Sequence, residues 1–236
     1  MQPSRRNRSV LRAAVQLGLP TALAGCNGPL STLDPAGPVA AATAILWWVM
    51  LAGSAALFAL VVVLFGLVIR RPGWGSGVSP MRWIVLGGLV LPAVVLVPLV
   101  AYALIAGERL LPLPGLAPPR IEAEGRQWVW TFRYPDHGGV TTKDVLHLPA
   151  GTTVDIAITS VDVIHSFWVP RFAGKIDAVP GHVNLLRLRA DEPGRYEGRC
   201  SEFCGLGHTT MRFAVIVHRA EDFAAALAQA AAEERK

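Results

Sequence analysis

The segment Cys200-Ser201-Glu202-Phe203-Cys204-Gly205-Leu206-Gly207-His208-Thr209-Thr210-Met211 puts two thiols, an imidazole and a thioether within twelve residues, just ahead of an alternating apolar run. Thiolate, imidazole and thioether are soft donors that select copper, and one Cys, one His and a distant Met suit a single copper ion. The second thiol adds something further. Two thiolates can bridge two metals and spread a one-electron change over many bonds, so little geometry changes when the electron moves. Such a pair wants an imidazole on each metal, and the loop supplies only His208. The candidate for the other is His165, in Asp162-Val163-Ile164-His165-Ser166-Phe167-Trp168. Of the remaining histidines, His137 and His147 fall near expected turns, His182 follows Pro180-Gly181, and His218 ends the last expected strand. Other readings of the loop stay open at this point. An oxidising compartment permits a Cys200–Cys204 disulfide. A structural zinc site takes Cys and His but rarely Met. A core methionine beside a surface histidine is the third.

The elements that must hold this loop follow from how the apolar residues are distributed. The chain has 236 residues, is 52% hydrophobic and only 17% charged, and its mean hydropathy is +0.41. That balance excludes a disordered tail, a coiled coil and an ordinary cytosolic enzyme. Two stretches carry no charge: Pro35 to Ile69, and Trp83 to Gly107. At about 1.5 Å per residue, 25 helical residues reach roughly 37 Å, enough to cross a ~30 Å hydrocarbon core. The sequence therefore predicts a membrane protein with a helical hairpin, helices at about 40–69 and 83–107. The loop between them carries Arg70, Arg71 and Arg82 and no acid, which keeps it cytoplasmic and sends both flanks outside. Trp47, Trp48, Trp74 and Trp83 suit interface anchors or helix packing.

Residues 1–25 combine Arg5, Arg6, Arg8 and Arg12 with a short apolar run ending in Leu23-Ala24-Gly25-Cys26. This is an export-signal pattern, and its end resembles the lipobox of bacterial lipoproteins, with Cys26 as the lipidated residue. Without these 25 residues the chain has 18 basic and 17 acidic side chains. The high isoelectric point thus says little about partners, and nucleic-acid binding has no support.

Four prolines between Leu111 and Pro119 end the second helix and make 111–120 a stiff linker. From 121 to 219 the apolar period is two. Trp128, Trp130, Phe132 and Tyr134 alternate with other residues, followed by a turn at Asp136-His137-Gly138-Gly139; Val154, Ile156, Ile158 and Phe213, Val215, Val217 repeat the pattern. This predicts an all-β sandwich. The Ala-rich tail, 220–236, has acids first and bases last, as suits a short terminal helix.

On the motif Cys-Ser-Glu-x-Cys-Gly-x-x-His-x-x-Met, complete at 200–211, and on its architecture, the chain resembles subunit II of bacterial cytochrome c oxidases. The resemblance implies a cupredoxin-like Greek-key sandwich in the periplasm, anchored in the inner membrane by the hairpin. It implies a dinuclear copper centre, CuA, bridged by Cys200 and Cys204. His165 and Met211 then complete one copper, and His208 with the backbone carbonyl of Glu202 completes the other. The Glu202 side chain is expected to reach a magnesium ion shared with subunit I, and Asp177 to lie near that boundary. Trp128 matches the tryptophan where electrons from cytochrome c enter, although Val129 stands where the family usually has a tyrosine. The implied activity is electron transfer from cytochrome c to haem in subunit I, for reduction of oxygen to water coupled to proton translocation. Two features depart from the family. Met81 to Leu91 lacks the glutamate that feeds protons to subunit I in many members, so proton uptake must differ or belong to another subunit. Asp162 is a candidate acid for docking a basic cytochrome c, yet its neighbour is Val161 and the domain is near neutral, so steering of a basic partner is expected to be weak. Two alternatives compete: a copper-free structural subunit II of a quinol oxidase, whose members have lost these ligands, and a tethered copper-binding or copper-delivery protein. No Cys-x-x-Cys-His occurs, so no c-type haem is fused to the chain.

Overall fold

The computed structural model describes residues 26–108 and 118–233. The expected signal peptide, most of the proline-rich linker and the basic C-terminal pair Arg235 and Lys236 lie outside the described residues. Among the described residues two compact units emerge, one of residues 42–108 and one of residues 26–41 with 118–233.

Two apolar helices are long enough to cross a membrane: α1, Pro38–Arg70, and α2, Pro80–Glu108. At about 1.5 Å per residue they run roughly 50 and 44 Å, longer than the hydrocarbon core. Each extends the sequence expectation by a few residues. Ser79 caps α2, its Oγ accepting from the Arg82 N–H, and Pro80 occupies the first turn, where a missing N–H costs nothing. Between Ile84 and Val90 the turns widen, and the Leu91 N–H reaches back five residues to the Leu86 carbonyl. Gly87 and Gly88 lie inside this widened segment, a departure from regular helix that uncharged length alone does not reveal.

The second unit is a sandwich of two five-stranded sheets. The strands are β1 (Arg120–Arg126), β2 (Val129–Tyr134), β3 (Val140–Lys143), β4 (Val145–Pro149), β5 (Thr153–Ser160), β6 (His165–Trp168), β7 (Ile176–Ala178), β8 (Asn184–Arg189), β9 (Gly194–Cys200) and β10 (Arg212–His218). One sheet has the order β3-β2-β1-β5-β8, the other β4-β10-β9-β6-β7. The chain crosses repeatedly between sheets, and β1 with β5 and β4 with β10 pair in parallel while the rest are antiparallel. This is the expected cupredoxin-like Greek-key sandwich. A short helix α3, Phe223–Glu233, follows and buries Phe223 and Leu227.

The inward positions of β2 and β10 carry the large aromatic share of a core to which β1, β4, β5 and β6 also contribute. Trp130, Phe132 and Tyr134 are fully enclosed, as are Phe167, Phe213 and Val215. The rings of Phe167 and Phe213 stack 5.0 Å apart, and Trp130 meets Phe167 edge-on at 5.7 Å. Gly198 of β9 is required here, because a Cβ would lie 2.0 Å from the Phe213 ring. β5 breaks simple alternation: Asp155 and Ala157 are buried as well, with Asp155 satisfied by Arg187 at 2.8 Å. The segment before α1 belongs to this unit. Asp34 pairs with Arg171 at 3.0 Å, the Ala36 N–H donates to the Arg171 carbonyl at 2.7 Å, and the Asp191 N–H donates to the Ala36 carbonyl.

Two sequence expectations change. Trp128 is not on the aromatic face of β2; it lies in the tight β1–β2 turn and is 41% exposed. Strand pairing ends at Arg126↔Val129, which frees the turn residues from the pleat. His147 is buried in the middle of β4 and not near a turn.

Candidate metal centre

Three pieces of the second sheet converge on one end of the sandwich. β9 ends at Cys200, β10 starts immediately after Met211, and the Cys200 N–H donates to the Met211 carbonyl, closing the intervening loop at its base. β6 begins at His165 and pairs with β9, and the Ser201 N–H donates to the Ser166 carbonyl at 2.9 Å. Within the loop, His208 N–H bonds to the Gly205 carbonyl, and the N–H groups of Thr210 and Met211 bond to the Gly207 carbonyl. These turns fold twelve residues so that their donor side chains face one point.

The two sulfurs lie 3.7 Å apart and unbonded, and both cysteines are buried free thiols. His165 Nδ1 is 3.8 Å from Cys200 Sγ, and His208 Nδ1 is 3.7 Å from Cys204 Sγ. Met211 Sδ is 3.7 Å from Cys204 Sγ, and the Glu202 carbonyl oxygen is 3.3 Å from Cys200 Sγ. Every donor named from the sequence is therefore present around one dithiol. His165, Cys200 and Cys204 alone bring their donor atoms within 4.8 Å of one another, a possible metal site. The donor chemistry fits a soft metal and not a hard one. Burial, and then the Cys200 thiol beside it, raise the pKa of Cys204 above that of an ordinary thiol. Such a dry dithiol ionises readily only against positive charge, which a bound metal supplies.

The surroundings fix the donors. His165 is fully buried, and its Nε2 lies 2.9 Å from the Asp162 carboxylate, which orients the ring and leaves Nδ1 for the site. Asp162 also accepts the backbone N–H groups of Gln127 at 2.8 Å and Val163 at 2.7 Å. Burial by itself would raise its pKa, but the hydrogen bonds from Gln127, His165 and Val163 outweigh that and hold it at about 2. Asp162 thus holds a donor in place while staying open to solvent. Gly125 leaves room for the histidine, since a Cβ there would sit 3.0 Å from the His165 ring.

Trp128 lies directly on the loop. Its Nε1–H donates to the Cys204 carbonyl at 3.2 Å, and the Gln127 amide donates to the same oxygen at 2.8 Å. A Cβ on Gly207 would fall 2.3 Å from the indole, so the ring seats only because that position is glycine. Sequence reasoning singled out Trp128 but missed Gln127, which no spacing rule marks. Glu202 points its half-exposed carboxylate 3.9 Å from Lys175, whose ammonium also donates to the Ser201 carbonyl. Asp177 is exposed on β7. Cys26, the first described residue, is partly exposed, and its carbonyl accepts from the Ser31 hydroxyl.

A buried dithiol site on a β-sandwich, in a chain with two apolar helices long enough to cross a membrane, defines a coarse class, a membrane protein carrying a candidate soft-metal site. The comparisons with known proteins narrow it further. A family described as cytochrome c oxidase subunit II, periplasmic domain, matches residues 140–218. Cytochrome c oxidase subunit 2 of Alkalihalophilus pseudofirmus is 33% identical over 85% of this chain and 63% of its own length. That of Thermostichus vulcanus is 47% identical over 44% of this chain and 31% of its own length. Quinol oxidase subunit 2 of Bacillus cereus is 30% identical over 87% of this chain and 74% of that one. Among solved structures, the periplasmic domain of subunit II of cytochrome oxidase from Bradyrhizobium japonicum is 31% identical, with TM-score 0.48, over 51% of this chain and 99% of that one. The chain belongs to the cytochrome c oxidase subunit II family. It spans 63% and 31% of the length of the two cytochrome c oxidase relatives.

Proposed function

We propose that this chain accepts electrons from cytochrome c and passes them to haem in subunit I of a proton-translocating terminal oxidase, where oxygen is reduced to water. The observation that carries the reading is the full donor set, two thiols, two imidazoles, a thioether and a carbonyl, gathered around Cys200 and Cys204. Cys200, Cys204, His165, His208, Met211 and the Glu202 carbonyl would hold the copper pair CuA. Bound there, the pair would take up and release one electron at a time with little change in shape. The protein's own contribution is to keep the donors still. Asp162 fixes His165, the β9–β10 ladder fixes Cys200 and Met211, and the turns at Gly205 and Gly207 fix His208.

Trp128 is the residue where electrons enter. Its indole is open to a partner on one side and hydrogen-bonded on the other to the carbonyl of a thiol donor. The valine beside it, Val129, adds no second ring, so the indole alone carries that role. The Glu202 carboxylate would meet a magnesium ion at the boundary with subunit I, its hard oxygens suiting that cation. The hairpin would lie in the bacterial inner membrane with the arginine loop cytoplasmic and the sandwich outside, and export would leave Cys26 as a lipidated N-terminus.

The relatives named quinol oxidase subunit 2 favour a second reading, a structural subunit without copper. Supplying the purified oxidase complex with reduced cytochrome c or with a quinol separates the two. Oxidation of cytochrome c, with none of quinol, is the expected result; the reverse would establish the copper-free subunit.

A further inference from the structure

Val61, Phe65 and Val68 recur every three to four residues, so they share one face of α1 near its Arg70 end. Opposite them stand Trp74, from the loop that follows, and Trp83, from the first turn of α2, and the five side chains line an open apolar groove of about 390 Å³. Its far wall is held in place. The Trp74 N–H donates to the Arg71 carbonyl at 2.9 Å, the Trp83 indole N–H donates to the Gly75 carbonyl at 3.4 Å, and the two rings lie 6.0 Å apart. Gly75 has φ +83° and a Cβ there would come 3.3 Å from the Trp83 ring, which favours glycine where the loop closes against the indole.

Three arginines flank this groove. Arg70 follows Val68 by two residues, Arg71 is tied through its carbonyl to Trp74, and Arg82 precedes Trp83; all three are exposed. From Pro35 to Gly107 no acid accompanies them, so this end of the hairpin carries three cations that no side chain between those limits neutralises. Cations beside an apolar slot complement a molecule with an anionic head and an apolar chain. A larger groove elsewhere on the hairpin, about 550 Å³ and lined by Val49 and Leu99 among others, has no charged residue in its lining and selects no headgroup. Tryptophans and arginines that only anchor a helix end need no groove between them.

We propose that the Arg70–Trp83 end of the hairpin binds one anionic diacyl phospholipid, its phosphate held by Arg70, Arg71 and Arg82 and one acyl chain laid along Val61, Phe65 and Val68 against Trp74 and Trp83. A guanidinium fork matches phosphate oxygens two at a time, and each cation beside an anionic headgroup is worth about fivefold in affinity. The site needs the hairpin to lie in a bilayer and is independent of copper and of the electron donor.

The test titrates the whole chain in detergent with phosphatidylglycerol or phosphatidylcholine carrying brominated acyl chains, and reads quenching of tryptophan fluorescence. Trp74 and Trp83 report the site, while Trp47 and Trp48, on α1 outside the groove, report ordinary contact with lipid. Phosphatidylglycerol should quench at concentrations about tenfold or more below those of phosphatidylcholine. Trp74→Phe with Trp83→Phe should remove that difference and leave the quenching common to both lipids. Glutamine at positions 70, 71 and 82 together should bring the two lipids within about twofold, and lysine at the same three positions should keep most of the preference. Equal quenching by the two lipids in the parent chain would overturn the proposal, and so would a glutamine variant that retains the preference. Displacement of phosphatidylglycerol by inorganic phosphate at equal concentration would assign the arginines to a soluble anion and overturn it as well. In the assembled oxidase, native mass spectrometry should find one phosphatidylglycerol fewer in the glutamine variant than in the parent. No difference there would assign the groove to a neighbouring subunit, against the proposal.

Discussion

β10 carries a histidine-rich site at each end, and the two differ in what the imidazoles face. At its start, beyond Met211, His165 and His208 point Nδ1 at sulfur, 3.8 and 3.7 Å away. At its end, seven residues and about 20 Å of strand away, His218 Nε2 lies 2.8 Å from His147 Nδ1, the two rings nearly parallel at 9°. There one imidazole satisfies the other, the His147 N–H of the backbone donates to the Tyr134 hydroxyl at 2.7 Å, and Phe223 of α3 packs against His218. The same residue type thus faces thiols at one end and closes a structural pair at the other. Company decides, and it is set by which strands pair.

The comparison can be pressed hardest at Asp162. Replacing it by Asn removes the carboxylate that holds His165 and should weaken copper retention about 10- to 100-fold in a chelator competition. His147→Gln, at the other end, should leave copper retention unchanged. Equal losses in the two variants would erase the distinction.

A smaller effect concerns pH. Burial, and then the neighbouring His218, lower the His147 pKa from 6.5 to about 4, and burial lowers that of His218 as well. A depressed histidine favours the neutral folded form, so its contribution is complete above pH 6.5 and is lost as pH falls through 4. Lowering the pH over that window should cost the sandwich roughly 2–3 kcal/mol, read from denaturant midpoints. His147→Gln should flatten that slope. A slope that persists undiminished would assign the acid lability to other groups.

Much of the thiol end was legible because its donors are local. Cys200, Cys204, His208 and Met211 lie in one loop, and soft-donor chemistry reads them together. The helices were legible from uncharged length, and β10 from strict alternation. What escaped was non-local. His147 and His218 are 71 residues apart and meet only because β4 and β10 pair in parallel. Trp128 shares the spacing of the buried aromatics of β2, so periodicity assigned it to the strand; only the end of pairing at Val129 places it in the turn. Asp162 read only as a surface acid because nothing in its neighbours discloses that the Gln127 N–H points at it. The docking of Asp34 and Ala36 onto the sandwich joins residues more than a hundred positions apart, beyond any local pattern.

The central claim, that the donors around Cys200 and Cys204 hold a pair of coppers, is tested most directly by electron paramagnetic resonance and visible absorption of the whole chain in detergent after thiol reduction and copper loading. One unpaired electron shared by two copper nuclei gives a multi-line hyperfine pattern and a purple colour, and Cys200→Ser should abolish both. A spectrum from a single copper, or no copper uptake by the reduced chain, would contradict it.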